Sequence, residues 1–498
     1  MRSGLHTLEP WIKERSSLLI LFVIIAALLL FPLRILSLGY MPLDDALRHA
    51  AFVFAGKSWP DIVVMRDGFS LDFHPGWHWL LGLVQRLTHA GVDGLLFFEV
   101  FFLCAGVCLI PLTGFRRPEA WLFGLLLMLI CDPEMFSRFL AGRPYLISIA
   151  LMLVWALYWQ KLETGSVMSR LAWTGLFILG VMVAAWVHGS WYFLLLPAGS
   201  LGLTRHWRAA ILYSMAAIIG ILIGASLTGH PLQFLWQSVH QVLQCVGTAD
   251  STRLLVGEMW PWRPQLNLLF PVVALWYARR YLPASRREAA PLGNPVFVHA
   301  ACISLGGMVF FRFWSDWGYP VLLVWAAREI QCHLEMRLPE RCWTRLSASG
   351  FAAAAFFLIS TGDGGGRWSN RLTYERISAD NPEHAAWLPP PGGIIYSADM
   401  DVFYETFFAN PTAGWKYVLG FEPGLMRPDD LKIYRQIQWN SFDTQAYKPW
   451  EEKMRMEDRL VIRARPGAAP DLPSLAWNYV AKDTWIGRKK IPRPPLGP

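Results

Sequence analysis

About eleven apolar stretches follow one another along this chain of 498 residues, and they constrain its fold more than any motif does. A helix that crosses a bilayer needs about 20 apolar residues, and fewer where neighbouring helices share the burial. Only 16% of the residues are charged, whereas a soluble domain has about 25%, so we predict a polytopic membrane protein. Disordered, coiled-coil and disulfide-rich secreted classes are excluded by the same composition. The predicted spans are 17–36, 95–112, 119–131, 144–159, 171–187, 190–203, 209–227, 266–278, 296–311, 318–331 and 347–361.

Basic residues between these stretches orient the chain in the membrane. When the spans are threaded in order, the basic clusters all fall on one side, which their excess of Lys and Arg identifies as the cytoplasm. The net charge of +8 is therefore attributed to orientation and not to nucleic-acid binding. The clusters are Lys13/Arg15, Arg116/Arg117, Arg170, Arg205/Arg208, Arg279/Arg280/Arg286/Arg287 and Arg328/Arg337/Arg341/Arg345.

Three longer polar segments fall on the opposite, extracytoplasmic side. Two of them, 37–94 and 229–265, are loops of a transmembrane helical domain over 1–361. The tail, 362–498, contains no spanning run; its stretches GGIIYSA and RLVIRA indicate strands and RPDDLKIYRQIQ indicates a helix. We therefore predict a mainly α fold: a polytopic transmembrane helix bundle with a small α/β extracytoplasmic C-terminal domain.

Several classes of active site are excluded by the motifs that the sequence lacks. There is no Walker A loop, GxGxxG, GxSxG or kinase signature, so a nucleotide-driven pump and a serine hydrolase are poorly supported. The seven cysteines are scattered without a CxxC motif, which indicates packing residues and neither a zinc site nor a disulfide framework.

An acidic pair, Asp44-Asp45, stands a few residues beyond the first span in the segment GYMPLDDALRHA. Ionisable residues at a membrane boundary are functional by default, because their burial is costly unless they are paired or face water. The pair is predicted to occupy the first turn of a helix, with Arg48 and His49 one turn further on. One aspartate would suffice as a helix cap, so a cap and a reactive site are both open interpretations.

Further costly polar residues gather on the predicted extracytoplasmic side. Arg143 precedes Pro144 at the mouth of a span, where its guanidinium could fork onto a phosphate; the alternative is interfacial snorkelling. Arg312 and Asp316 stand at i and i+4 and could simply pair with each other. The candidates in this group are Arg138, Arg143, His188, Glu258 and Arg312.

A metal site is an open alternative in the first outer loop. Asp72, His74 and His78 lie in FSLDFHPGWHWLLGLVQRL, where the histidines have helical i,i+4 spacing, but Pro75 separates them and no HExxH motif is present. The acidic pair nearby suits a hard cation. Mg²⁺ or Mn²⁺ is therefore the candidate cofactor, with its ligands unassigned.

Several of these segments resemble the C-type glycosyltransferase (GT-C) superfamily, polytopic enzymes that take sugars from polyprenyl-phosphate carriers. These enzymes place an acidic motif in the first extracytoplasmic loop, where this chain has PLDDALRH. The chain is also similar to a bacterial group of that type in GRPYLISIALMLVWAL, AAWVHGSWYFLLLP, Glu258, Arg312 and the tail segment GGIIYSADMDVFYETFFANPTAGWKYVLGFEPGLM. It departs at Gly229-His230-Pro231, where Asn-Pro is more usual, so His230 is assigned no role.

The resemblance implies inverting transfer of a sugar from a polyprenyl-phosphate donor to an extracytoplasmic lipid, polysaccharide or protein, at the bacterial inner membrane. Asp44 or Asp45 would be the general base that deprotonates the acceptor. Asp44 is favoured, since Asp45 can then cap the helix, pair with Arg48 or bind a cation. Arg143 and Arg312 would hold the donor phosphate. The remaining predicted substrate-binding residues are Arg48, His49, Arg138, His188 and Glu258.

The alternative function is non-enzymatic: a polytopic protein for lipid or polysaccharide translocation whose outer domain docks a partner. A transporter is expected to carry charged or broken helices at mid-membrane. The polar residues of this chain instead cluster at one predicted face, which favours the transferase. The expected partners are the lipid-linked donor and membrane lipid, and no nucleic acid.

Overall fold

The computed structural model describes residues 3–42, 45–68, 72–133, 137–245, 269–283, 290–337, 342–372, 376–440, 442–481 and 483–490. The longer helices are α1 (Ser3–Ser37), α2 (Asp45–Ala55), α3 (Pro75–Thr88), α4 (Val92–Leu109), α5 (Pro118–Cys131), α6 (Tyr145–Tyr158), α7 (Val167–Val187), α8 (Leu196–Leu203), α9 (Trp207–Ser226), α10 (Pro231–Cys245), α11 (Leu269–Ala278), α12 (Pro295–Gly307), α13 (Tyr319–Arg337), α14 (Cys342–Thr361), α15 (Met400–Ala409) and α16 (Pro428–Trp439). Short helices lie at Trp59–Ile62, Gln160–Glu163, Phe311–Phe313, Pro382–Ala385 and Lys448–Lys453. The strands are β1 (Ile394–Tyr396), β2 (Lys416–Tyr417), β3 (Arg459–Arg463), β4 (Leu475–Ala481) and β5 (Thr484–Lys489).

Each predicted apolar stretch is mainly helical over its described residues, and the longest interruption is at 308–310, between α12 and the short helix Phe311–Phe313. A lipid-embedded backbone has to satisfy its own hydrogen bonds, and a helix does so within one segment. Within the described residues, the segments long and apolar enough to cross a membrane are Ser16–Ser37, Val92–Gly114, Val167–Val187 and Trp207–Ser226. Shorter apolar helices are Pro118–Cys131, Tyr145–Tyr158, Trp191–Leu203 and Pro295–Gly307. The predicted fold class is confirmed, and the chain is a multi-pass membrane protein.

The chain forms two compact units. The helical unit consists of Met1–Tyr40, Glu99–Leu235 and Val256–Leu372. The α/β unit consists of Met41–Phe98, Trp236–Leu255 and Thr373–Pro498. The segments of the first long polar loop are therefore grouped with the tail and not with the helices that flank them.

Glycines allow two helices of the helical unit to pack closely. Gly220 and Gly224 stand four residues apart on α9, in the segment GILIG. A methyl group at Gly220 would lie 2.7 Å from the carbonyl oxygen of Ile178 on α7, and one at Gly224 would lie 2.6 Å from that of Met182. In lipid, such close backbone approach is a main source of helix association, because van der Waals packing replaces the hydrophobic effect.

A five-stranded sheet organises the α/β unit. Its order is β2-β1-β3-β5-β4; β1 is parallel to β2 and β3, whereas β5 is antiparallel to β3 and β4. The helix α15 connects β1 to β2, and buried side chains such as Tyr396, Trp450 and Leu460 form the core beneath the sheet.

Residues of the first polar loop extend this sheet. Val63 pairs in parallel with Tyr417 of β2, and Met65 pairs in antiparallel with Met426. The backbone N–H of Val64 donates to the carbonyl of Tyr417 at 2.8 Å, which continues the ladder. The loop is thus held by backbone hydrogen bonds to the tail.

Candidate functional site

The predicted site residues divide between the two units. Asp45, Arg48 and His49 lie on α2 in the α/β unit. A second group lies in the helical unit: Arg138, Arg143, His188 and Arg312. Asp44 and Glu258 lie outside the described residues.

Asp45 begins α2, as predicted, and pairs with Arg48 one turn later. Its Oδ1 accepts a hydrogen bond from Nε of Arg48 at 2.7 Å, and a second from the hydroxyl of Tyr404 on α15 at 3.3 Å. Burial alone would lower the pKa of Arg48, but the charge and hydrogen bond of Asp45, together with the electrostatic contributions of Tyr404 and Asp72, raise it. Pairing with Arg48 is one of the three roles that the sequence leaves open for Asp45.

Aromatic rings also contact Arg48, which is only 3% exposed. Its guanidinium carbon lies 4.1 Å from the ring centroid of Phe421 and 5.6 Å from that of Trp59. A guanidinium over an aromatic face is attracted by the ring quadrupole. The guanidinium of Arg48 is therefore held by the carboxylate of Asp45 and by the aromatic rings of Phe421 and Trp59.

A hydrogen-bonded chain of three residues, Asp72, His78 and His49, runs beneath α2; we call it the histidine chain. Nδ1 of His49 lies 2.7 Å from Nε2 of His78, and Nδ1 of His78 lies 2.5 Å from Oδ2 of Asp72. Burial alone would raise the pKa of Asp72, but the charge and hydrogen bond of His78 lower it to about 2. Asp72 is thus ionised, and it fixes the proton of His78 on Nδ1.

The spacing of the histidine chain is that of a hydrogen bond. Two imidazole nitrogens on one tetrahedral zinc ion are about 3.3 Å apart, because each lies about 2.0–2.1 Å from the metal. The 2.7 Å between His49 and His78 is shorter than that. Within the described residues, no group of three His, Cys, Asp or Glu side chains is arranged to hold a metal ion.

In the helical unit, Asp316 holds two of the predicted arginines. It lies in a single π-helical turn, Trp314–Gly318. This conformation is rare in proteins, and where it occurs it is often at a functional site. Nη2 of Arg138 donates to Oδ1 of Asp316 at 2.7 Å, and Nε of Arg312 lies 3.5 Å from Oδ2. Arg312 and Asp316 pair as their spacing suggests, but Arg138 makes the shorter contact. Both guanidinium groups therefore bind the same carboxylate.

Tyr145 connects this cluster to His188. Its hydroxyl donates to the carbonyl of Arg138 at 3.1 Å, and its ring lies 5.0 Å from the Arg138 guanidinium. The ring centroids of Tyr145 and His188 are 6.4 Å apart. His188 is buried at the end of α7, with Nδ1 3.4 Å from the hydroxyl of Ser148.

Arg143 is buried in the turn that leads into α6, and only 6% of it is exposed. Gly142, just before it, has a φ of 63°, a left-handed conformation that glycine adopts without strain. Pro144 then caps α6, which fixes where the arginine leaves the backbone.

Sequence reasoning missed the tail residues Tyr404 and Phe421 as parts of the site around Arg48. Both lie in the tail segment that resembles the bacterial group, and that resemblance is the one sequence feature that could have indicated them. It was not connected to α2, because residues 359 positions apart leave no local pattern. The shared role of Asp316 was missed for the same reason.

A solved structure covers nearly the whole chain. The crystal structure of ArnT from Cupriavidus metallidurans in the apo state superimposes with a TM-score of 0.54, covering 92% of this chain and 97% of ArnT. The chain shares its fold with ArnT. A second structure of ArnT, bound to undecaprenyl phosphate, matches with a TM-score of 0.52 over the same shares.

ArnT is a C-type glycosyltransferase, so the predicted GT-C-like fold is confirmed. The sequences of the chain and ArnT are 14% identical, and the likeness is therefore one of fold. No protein-family profile matches the sequence, and no curated protein does.

Proposed function

We propose that the protein transfers a sugar from a polyprenyl-phosphate carrier to an acceptor on the extracytoplasmic side of the bacterial inner membrane. The observation that carries this proposal is the fold shared over 92% of the chain with ArnT, which in one structure binds undecaprenyl phosphate. The polar clusters around Asp45 and Asp316 supply the kinds of group that this chemistry needs: carboxylates and arginines.

The proposed reaction is an inverting displacement. The acceptor hydroxyl oxygen attacks the anomeric carbon from the face opposite the phosphate, and the bond between that carbon and the phosphate oxygen breaks. Its electron pair leaves with the polyprenyl phosphate, which gains one negative charge. Cationic side chains therefore stabilise the transition state more than the bound donor.

Arg143 and Arg312 are proposed to hold that phosphate. The side chain of Arg312 is 32% exposed, whereas that of Arg138 is 12% exposed and makes two hydrogen bonds to Asp316. Arg312 is thus more accessible to a ligand, and Arg138 is bound to Asp316. His188, linked to Arg138 through Tyr145, is proposed to line the donor site.

Asp44 is proposed as the general base and Asp45 as its neighbour in a structural role. The carboxylate of Asp45 accepts hydrogen bonds from Arg48 and Tyr404, and bonds to the charged form make a carboxylate a weaker base. Arg48 and His49 on the same helix are proposed to contact the substrate, together with Glu258. Mg²⁺ or Mn²⁺ stays the candidate cofactor, and no step is assigned to it.

The test is transfer by the purified protein. Incubated with a panel of radiolabelled polyprenyl-phosphate sugars, with and without Mg²⁺ or Mn²⁺, the protein is expected to release polyprenyl phosphate and label an acceptor. Movement of labelled lipid between leaflets without release of polyprenyl phosphate would contradict the enzyme and support a translocation protein.

Arg143→Lys tests the phosphate assignment. Lysine keeps the charge but loses the bidentate fork, so donor affinity is expected to fall about tenfold while membrane insertion is unchanged. The control is Arg116→Lys, which carries the same change in a loop outside the proposed site. An unaltered donor affinity in Arg143→Lys would exclude the contact.

A further inference from the structure

A cavity of about 430 Å³ lies at the end of α11, within the helical unit. This volume falls in the range of small-molecule binding sites. The cavity is lined by α11, by the 3-10 turn Arg279–Tyr281 that follows it, and by the segment that leads to α12. The lining residues are Val273, Trp276 and Tyr277 of α11, Arg279 and Arg280 of the turn, and 290–291. The proposed function assigns no role to this cavity.

The cavity lining changes from charged to apolar along one face of α11. Arg280, Trp276 and Val273 stand at i, i−4 and i−7, positions that share a helix face. Seven residues of helix rise about 10 Å, so this face passes within that distance from a guanidinium through an indole ring to an aliphatic side chain. The headgroup region of one leaflet is roughly 5–8 Å thick. The lining therefore matches the order of groups in a phospholipid, from the phosphate to the first part of the acyl chain.

The two arginines of the turn have different surroundings. Arg279 is buried, and its guanidinium donates to the carboxylate of Glu329 on α13. This ion pair compensates the charge of Arg279 and holds the turn against α13. Arg280 is exposed, and its guanidinium carbon lies 5.4 Å from the ring centroid of Tyr277. Attraction to the ring holds Arg280 beside the cavity, where an exposed guanidinium can fork onto a phosphate.

The charge of the lining and its predicted position in the membrane favour one class of ligand. The turn belongs to the basic cluster that the sequence places on the cytoplasmic side, at the end of a span. The lining contains two arginines and no acidic side chain. Basic pockets between transmembrane helices on the cytoplasmic side suit the headgroups of anionic lipids. A zwitterionic headgroup would bring an ammonium group towards the arginines.

We propose that this cavity binds an anionic phospholipid of the cytoplasmic leaflet. Arg280 binds the headgroup phosphate, and Trp276 and Val273 contact the glycerol and the upper part of the acyl chain. Arg279 and Glu329 hold the turn in place. The bound lipid bridges the end of α11 and the segment before α12. This proposal does not depend on the transfer reaction.

Binding of phosphatidylglycerol to the purified full-length protein tests the proposal. In detergent, native mass spectrometry resolves the first bound lipid, and a titration gives its Kd. We expect phosphatidylglycerol to bind about fivefold more tightly than phosphatidylethanolamine, which is the worth of one arginine near an anionic lipid. Excess inorganic phosphate is expected to leave the lipid bound. Equal affinities for the two lipids, or displacement by inorganic phosphate, would overturn the proposal.

Arg280→Gln removes the charge at the cavity and keeps a polar side chain. The affinity for phosphatidylglycerol is expected to fall about fivefold, to that for phosphatidylethanolamine. Arg116→Gln is the matched control, because Arg116 is an exposed arginine of another predicted cytoplasmic loop; it is expected to bind as the wild type does. Equal affinities of the two variants for phosphatidylglycerol would mean that the arginines only orient the chain, and would overturn the proposal.

Ala290→Trp tests the cavity without changing its charge. Ala290 is exposed and lines the cavity, so the larger side chain occupies the space of the lipid without overpacking a core. We expect at least a fivefold loss of phosphatidylglycerol affinity. Leu292→Trp is the control, since Leu292 is 81% exposed and outside the lining. Wild-type affinity in Ala290→Trp would overturn the proposal. No sugar donor is present in these measurements, so loss of the lipid site and loss of the proposed function are separate results.

Discussion

Two hydrogen bonds, one local and one from a distant part of the sequence, meet at one carboxylate oxygen of Asp45. Arg48 donates from the next turn of the same helix, and Tyr404 donates from the tail. A carboxylate bound in this way is fixed in position and already paired in charge. The sequence predicts both aspartates in the first turn of one helix, where adjacent residues point about 100° apart, so we expect the two to have different roles.

Asp44→Asn and Asp45→Asn are therefore expected to behave unequally. Loss of a general base lowers the rate by about 10²–10⁴-fold and leaves donor binding nearly intact. We expect that loss in Asp44→Asn and a smaller loss, about tenfold, in Asp45→Asn. Steady-state transfer rates with matched expression levels check this. Wild-type rates in both variants would remove the first loop from the active site.

Tyr404→Phe tests whether the tail positions Asp45. The variant removes one hydroxyl and its hydrogen bond, a change of about 0.5–1.5 kcal/mol in a neutral pair and more to a charged group. We expect kcat to fall about three- to tenfold with little change in Tm. Tyr479→Phe, which removes a tail hydroxyl bonded to the backbone of Asp483, is the control. Equal transfer rates in the two variants would contradict a positioning role for Tyr404.

At the scale of elements, the close approach of α7 and α9 depends on the absence of side chains. The positions of Gly220 and Gly224 bring the α9 backbone against carbonyl oxygens of α7. A backbone oxygen cannot move aside as a flexible side chain can, so the contact tolerates no added atom. Gly175, also in α7, has open space around it, which gives a matched pair of glycines.

Gly220→Ala is expected to destabilise the helical unit, whereas Gly175→Ala is expected to be neutral or slightly stabilising. The new methyl group at position 220 meets the carbonyl of Ile178 at 2.7 Å, and overpacking of this kind costs about 1–3 kcal/mol. At position 175, alanine gains helix propensity of about 1 kcal/mol. Thermal unfolding in detergent measures both. A Tm for Gly220→Ala at or above that of Gly175→Ala would contradict the packing.

For the molecule as a whole, the order and type of the helices and strands could be predicted better than the contacts between them. The helices of the apolar stretches followed from hydrophobic length, because a lipid-embedded backbone has few alternatives to a helix. The strand β1, the strand β3 and the helix α16 followed from local patterns. Sequence analysis did not predict β2, β4 or β5, since pairing across the sheet is decided by distant segments. Tyr404 and Asp45, 359 positions apart, meet for reasons that no local pattern contains.

The membrane topology of the chain is a second prediction about the whole molecule. Threading the predicted spans from a basic N-terminus places the tail outside the cytoplasm. A reporter that is active only in the cytoplasm is expected to stay silent when fused after Pro498. The same reporter fused after Arg117, in a predicted cytoplasmic loop, is the positive control. Strong activity of the Pro498 fusion would reverse the topology.

Pairing between the first polar loop and the tail makes completion of that loop depend on synthesis of the tail. Lys57 donates to the carbonyl of Ala413, 356 positions later, and Val63 pairs with Tyr417. Ribosomes add about 5–20 residues per second, so these partners are made about 18–70 s after the loop. During that interval the N–H of Val64 lacks the carbonyl of Tyr417 as its partner. A chain that terminates before Tyr417 therefore leaves the loop with an unpaired edge, which is the kind of surface that quality-control proteases and chaperones recognise.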